Sequence, residues 1–224
     1  MHAPFPAVVS FDIYGTLVDV RAGSREAFAA ILRACGGEHL DIAEFWEHLE
    51  SCNIRRYREP YRTYKAICAD SLDETLRHFK LEGEGRLIQH YFSAFPGFPR
   101  FPDVDETLSA LQRRTRLALV TNMDDDLLEQ TELGRAFDLV CTSERARGYK
   151  PDGRLFRFLL QRAGCGPESL LHCGQSQHTD MVGAKPLGIR VAWINRRGVA
   201  LAPEVPKPDY EFHGLGQVLD PLGL

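Results

Sequence analysis

Four short clusters along the 224-residue chain carry side chains that could act on one substrate. Asp12 follows an apolar run and precedes Tyr14-Gly15-Thr16, and Thr121-Asn122 closes a second such run. Lys150 stands before Pro151, and Gly174-Gln175-Ser176 with Asp180 follows a third run. A carboxylate can serve as a nucleophile, forming an ester or acyl-phosphate that splits one hard displacement into two easier steps. An ammonium beside it keeps it ionised and neutralises charge on substrate and leaving group. A hydroxyl can orient the reacting oxygen or hold a substrate carboxylate. The second carboxylate can fix the lysine, bind a cation or position water.

These residues cooperate only if the fold brings them together. Apolar runs at 7–11, 117–120, 170–173 and 191–194 read as strands buried on both faces. Residues 137–140 give a weaker fifth strand and 210–212 an edge strand. Helical periodicity marks 104–114 after Asp103, 127–133 after Asp124 or Asp125, and a helix after Asp152 that Gly164 can end. Strand and helix in alternation predict an α/β, doubly wound parallel sheet, whose ligands bind beyond the carboxyl ends of the strands. Each cluster above lies at such an end. Residues 21–95 break the alternation and read as helices at 24–33, 41–50, 61–79 and 85–95. An insertion there reads as an α-helical cap, residues 22–95, over a discontinuous core of 1–21 and 96–224.

Composition narrows the classes. The chain is 44% hydrophobic and 26% charged, as a folded globular protein is. With 27 basic against 31 acidic residues its net charge of −4 excludes a broadly cationic nucleic-acid surface. No apolar run approaches the roughly 18–20 residues of a membrane span. Met1–Pro6 shows no basic stretch followed by an apolar one, so no membrane and a cytoplasmic location are expected. Six scattered cysteines without a C-x-x-C pair predict free thiols, and His172, Cys173 and His178 fit no zinc spacing.

Phe11-Asp12-Ile13-Tyr14-Gly15-Thr16, Thr121-Asn122, Lys150-Pro151 and Gly174-Gln175-Ser176 with Asp180 resemble, in order, the four motifs of the haloacid dehalogenase superfamily. The resemblance implies a Rossmann-like core, a helical cap and Asp12 as nucleophile. It implies Thr121 as the motif-two hydroxyl, Lys150 as the motif-three cation and Asp180 as the motif-four acid. Two departures from the superfamily's phosphatases set the branch. Tyr14 stands where they carry a general-acid aspartate, and Gln175 where they carry a Mg²⁺-binding one. Aspartate-tyrosine-glycine-threonine resembles the metal-independent L-2-haloacid dehalogenases. The stretch 171–180 with Ala192–Arg197 also resembles the related azetidine-2-carboxylate hydrolase. Both displace a leaving group from the carbon beside a carboxylate.

The expectation is a hydrolase acting on a small 2-substituted carboxylate without a cofactor. Thr16, Tyr14, Asn122, Gln175, Ser176 and Arg55 would line the substrate. The alternative is a Mg²⁺-dependent phosphatase with a weak ion on Asp12 and Asp180, and a non-catalytic binder is the third reading. A cap arginine following tryptophan holds halide in the dehalogenases; here Glu47 follows Trp46, leaving Arg55, Arg56, Arg58 and Arg62 as substitutes. Related enzymes are often dimers, so a homodimer is compatible. Ordinary roles compete: Thr121, Asn122 and Asp180 as helix caps, Lys150 as a solvated loop residue, Tyr14 as a packing wall. The Asp124–Asp126 acids read as partners of a helix dipole.

Overall fold

The computed structural model describes residues 4–224, so the reading of a leader on Met1–Pro6 falls partly outside the described residues. Six parallel strands form one sheet in the order β3-β2-β1-β4-β5-β6. They are β1 (Val8–Phe11), β2 (Arg116–Thr121), β3 (Leu139–Thr142), β4 (Leu170–Gly174), β5 (Arg190–Ile194) and β6 (Tyr210–Phe212). Strand β1 lies between β2 and β4, so the chain builds outward on one side of it and then on the other. That reversal opens a crevice beyond the strand ends. The inner strands β1 and β4 are buried along their length and β2 from Leu117 on, which accounts for their apolar runs.

Between β1 and β2 the chain is helical: α1 (Val20–Ala34), α2 (Ile42–Arg56), α3 (Tyr64–His78), a 3-10 turn at Gly85–Ile88 and α4 (Gln89–Phe92). Polar caps start the long ones. Asp19 accepts from Ala22 N, Asp41 from Ala43 N and Glu44 N, and Thr63 from Ala66 N. Aromatic packing ties the segment together, with Phe28 stacked on Tyr91 at 5.3 Å and Phe95 tilted against Phe98 at 5.0 Å. Further along lie α5 (Val104–Gln112), α6 (Asp125–Glu129), α7 (Ser143–Ala146), α8 (Arg154–Ala163) and, after a π-helical turn at Gln177–Met181, α9 (Val182–Ala184), with short 3-10 helices between elements. Helix α8 buries Leu155, Phe156, Leu159 and Ala163, and Gly164 ends it at φ 63°, as its sequence suggests. Among the described residues no helix is long and apolar enough to cross a membrane. The six cysteines are free.

Several sequence expectations shift. Helix α2 runs to Arg56 rather than to 50, and strand β3 begins at Leu139 rather than at 137. The Asp138 carboxylate accepts the Leu117 N–H at 2.7 Å, so the side chain rather than a strand carbonyl meets that donor. Asp103 does not cap α5; its carboxylate holds Arg196 at 2.9 Å and the Leu215 N–H at 2.6 Å. The three acids at 124–126 stand at the start of α6, as expected, and each also takes a tertiary partner. Asp124 is buried and accepts from Tyr64 N at 2.9 Å and Lys65 N at 3.0 Å. Asp125 pairs with Arg145 and Asp126 with Lys65.

Asp124 therefore satisfies the first turn of α3 from 60 residues away. Asp124→Ala is expected to lower stability by about 1–2 kcal/mol, the cost of losing a helix cap. Urea unfolding measures it; an unchanged midpoint would show that water replaces the carboxylate without cost.

Candidate active site

Asp12 extends the line of β1, its N–H donating to the Cys173 carbonyl at 2.9 Å. The chain then turns sharply at Gly15, whose φ of 88° suits glycine. A Cβ there would stand 2.9 Å from Gln175 Oε1, so the missing side chain also leaves room for that amide. The turn returns Thr16 beneath the carboxylate, and its Oγ1 donates to Asp12 Oδ2 at 3.0 Å.

Lys150 arrives from beyond β3. Its Nζ sits 2.5 Å from Asp12 Oδ1 and 2.7 Å from Asp180 Oδ1, with its side chain 2% exposed. Asn122 fixes the lysine's backbone, its Oδ1 accepting from Lys150 N at 2.9 Å. Gly183 gives that backbone its space, because a Cβ there would fall 1.9 Å from the Lys150 carbonyl oxygen. Asp180, fully buried, comes from the turn after β4 and accepts from the Ser176 N–H at 2.9 Å. His172, a strand residue that the sequence reading left without a role, places Nε2 3.1 Å from Asp180 Oδ1. Its Nδ1 lies 2.9 Å from Ser10 Oγ. With Nε2–H donating to the carboxylate, Nδ1 accepts from the serine hydroxyl.

The two carboxylates behave differently. Burial pushes Asp180 up, but the charge of Lys150 and the hydrogen bond from His172 overcome it and hold the group down to about 2. For Asp12, burial outweighs the lowering by Lys150, and the charge of Asp180 adds to the rise. Burial opposes the charge on Lys150, yet Asp12 and Asp180 together raise its pKa, so it stays cationic. One cation thus serves two anions. Asp180 and His172 hold Lys150 from behind, while Asp12 faces open space.

That space is a cavity of about 110 Å³. Asp12, Tyr14, Thr121, Asn122, Lys150, Gln175 and Ser176 all line it. Tyr14 is held rather than free: its hydroxyl lies 2.5 Å from Thr131 Oγ1, and its ring packs on Phe95 at 5.4 Å. Burial raises its pKa well above the usual tyrosine value, so it stays protonated. Thr16 lies behind Asp12, fully buried, and meets the carboxylate rather than the cavity. Asp180 is likewise behind Lys150.

Arg55 is not at the cavity. Its guanidinium pairs with Glu74 at 2.5 Å and is 56% exposed. Arg56 shares Glu74, Arg62 pairs with Asp70, and Arg58 does not line the space either. Glu47 also faces away, paired with Arg21 at 2.8 Å. The side chains of α2 that do line it are Trp46, Leu49, Glu50, Asn53 and Ile54, joined by Tyr57 at its C-cap. Their helical spacing marks a single face, a signal present in the sequence. At 100° per residue, position 55 falls almost opposite that face.

A magnesium ion fits this donor set poorly. Mg²⁺ demands near-octahedral oxygen ligands, commonly with one or two carboxylates. Here both carboxylates converge on an ammonium, and Gln175 offers a neutral amide. Among the described residues no three histidine, cysteine or acidic side chains gather as a metal site.

The comparisons agree with this geometry. A family profile described as haloacid dehalogenase-like hydrolase matches residues 6–188. Haloacetate dehalogenase H-2 of Moraxella sp. (strain B) is 31% identical, the match covering 90% of this chain and 91% of that one. An (S)-2-haloacid dehalogenase of Pseudomonas sp. (strain YL) is 27% identical over 95% and 92%. A phosphoserine phosphatase of Thermus thermophilus is 33% identical over a shorter stretch, 73% and 70%. Among solved structures, L-2-haloacid dehalogenase from Xanthobacter autotrophicus with chloropropionic acid covalently bound superposes with TM-score 0.77. Its identity is 22%, covering 96% of this chain and 97% of that one, a likeness of fold. With the profile matching residues 6–188, most of its length, this chain belongs to the haloacid dehalogenase-like hydrolases.

Proposed function

We propose that the enzyme displaces a leaving group from the carbon next to a substrate carboxylate, with Asp12 as nucleophile and without a metal. The observation that carries this reading is Lys150 Nζ lying between Asp12 and Asp180 at 2.5 and 2.7 Å. The ammonium occupies the place between the two acids where a shared cation would otherwise be needed. In this reading residues 22–95 act as a cap domain over the core of 1–21 and 96–224, and α2 supplies the cap side of the pocket.

The steps follow from the geometry. Thr16 and Lys150 favour the ionised form of Asp12 against the burial that raises it, with its carboxylate turned to the cavity. Thr121 and Asn122, at the end of β2, receive the substrate carboxylate. Attack by an Asp12 oxygen forms the C–O ester bond as the bond to the leaving group breaks. Water then attacks the ester carbonyl of Asp12 and releases a 2-hydroxy acid, with Lys150 stabilising the returning carboxylate. Tyr14, protonated and tied to Thr131, forms the wall behind the nucleophile and moves no proton.

The test is a panel of 2-haloacids, small cyclic imino acids and phosphate esters, each assayed in EDTA and in Mg²⁺. Turnover of a 2-substituted carboxylate, unchanged by EDTA, is the expected result. Phosphate-ester hydrolysis that needs Mg²⁺ would instead favour the phosphatase reading.

A further inference from the structure

Tyr149, the residue before Lys150, joins two parts of the molecule. It is buried, on extended backbone at φ −111° and ψ 160°. Its ring stacks on Tyr57 at 4.6 Å and on Tyr61 at 5.7 Å, and its hydroxyl donates to the Arg62 carbonyl at 2.7 Å. All three partners lie in residues 57–63, the segment that links α2 to α3. Burial raises the phenol well above the usual tyrosine range, so the hydroxyl stays a donor. Arg147, in left-handed backbone at φ 49°, lays its guanidinium over Tyr61 at 4.6 Å and adds a second tie to the same segment.

Lys150 has little slack to absorb a movement of its neighbour. Asn122 holds its N–H at 2.9 Å, and Gly183 backs its carbonyl. Its Nζ must still meet two carboxylates at 2.5 and 2.7 Å. Ring pairs favour particular distances and tilts, and a hydroxyl on a carbonyl fixes register, so the Tyr149 contacts have direction as well as area. Tyr57 also lines the cavity, so the stack runs from the substrate space to the backbone of the lysine.

Resting on the displacement mechanism above, we propose that Tyr149 is a positioning residue for Lys150. The stack of Tyr57, Tyr149 and Tyr61 ties the segment after α2 to the lysine, so the α2 wall of the cavity and the ammonium beside Asp12 are set together.

The effect reads out at Asp12. Burial raises its carboxyl, and the charge of Lys150 is the main influence against that rise. A displaced ammonium lowers it less, so the Asp12 carboxyl climbs further and the acid limb of kcat/KM moves to higher pH. Lost packing alone acts differently. It reduces the folded fraction without retuning Asp12.

The test follows kcat/KM against pH, beside urea unfolding, for wild type, Tyr149→Leu, Tyr149→Phe and Tyr61→Leu. The substrate is 2-chloropropionate or azetidine-2-carboxylate, whichever the wild type turns over. Tyr149→Leu should move the acid limb up by about one pH unit. It should also lower kcat about 10-fold or more, as small misplacements of a charged group do. Tyr149→Phe keeps the stack and should recover most of the shift. Tyr61 does not line the cavity, yet Tyr61→Leu should move the limb in the same direction by less. Acid limbs at the wild-type pH in both leucine variants, with only the urea midpoint lowered, would overturn the proposal. Should Tyr149→Leu not fold, an unmoved limb in Tyr61→Leu overturns it alone. Wild type inert on both substrates would reject the displacement mechanism itself, and the role of Tyr149 in it.

Discussion

Asp12→Asn is expected to reduce turnover on the order of 10⁴-fold or more while leaving the fold in place. An amide oxygen is a far weaker nucleophile than a carboxylate, and losses of this size accompany removal of a group that forms the covalent intermediate. The fold survives because Lys150 keeps Asp180 at 2.7 Å, so the buried cation retains an anion. The variant also relieves an unfavourable charge, since burial raises the Asp12 carboxyl despite Lys150. Steady-state kinetics beside urea unfolding separates the effects. Activity near wild type would remove Asp12 from the chemistry, and a collapse of stability would make any loss uninterpretable as catalytic.

Lys150→Met carries the largest expected effect on stability. It leaves Asp12 and Asp180 buried together with no cation, and breaking a buried ion pair from one side costs about 3–5 kcal/mol. The pH dependence has a definite sign. In the native protein Asp180 is depressed to about 2, so it contributes stability above its unfolded value that is lost as pH falls through the folded one. Asp12 is raised, so its contribution is opposite, present at low pH and lost as pH rises through its folded value. Without Lys150 both acids favour the protonated form. The gap between variant and wild type should therefore be widest near neutral pH and narrow as the carboxylates protonate. Unfolding at a series of pH values reads this, and a gap that widens in acid would contradict the assignment of Lys150 as their common partner.

Much of this arrangement is legible in the amino-acid sequence. Asp12, Thr121, Lys150 and Gln175 lie at or just past the ends of apolar runs, and a parallel sheet places such positions in one crevice. Residues reached by tertiary turns were less legible. His172 reads as strand interior, because strand periodicity carries no hint that an imidazole will find Asp180 eight residues on. Asp124 reads as a helix-start acid, yet the donors it serves lie in α3. The cavity-facing side of α2 was legible in principle. Trp46, Leu49, Glu50, Asn53 and Tyr57 follow helical spacing, but stopping α2 at 50 hid the second half of that stripe. Arg55 carries the charge an anionic substrate would need, but the helix turns it toward Glu74.

The most direct measurement follows the oxygen. With enzyme in excess over a turned-over 2-substituted carboxylate, in water enriched in oxygen-18 and EDTA, the first turnover should place the label in the peptide containing Asp12. The product hydroxyl should carry ordinary oxygen, taken from the Asp12 carboxylate. Label found directly in the first-turnover product, with an unlabelled Asp12 peptide, would mean that water attacks the substrate itself and that Asp12 is not the nucleophile.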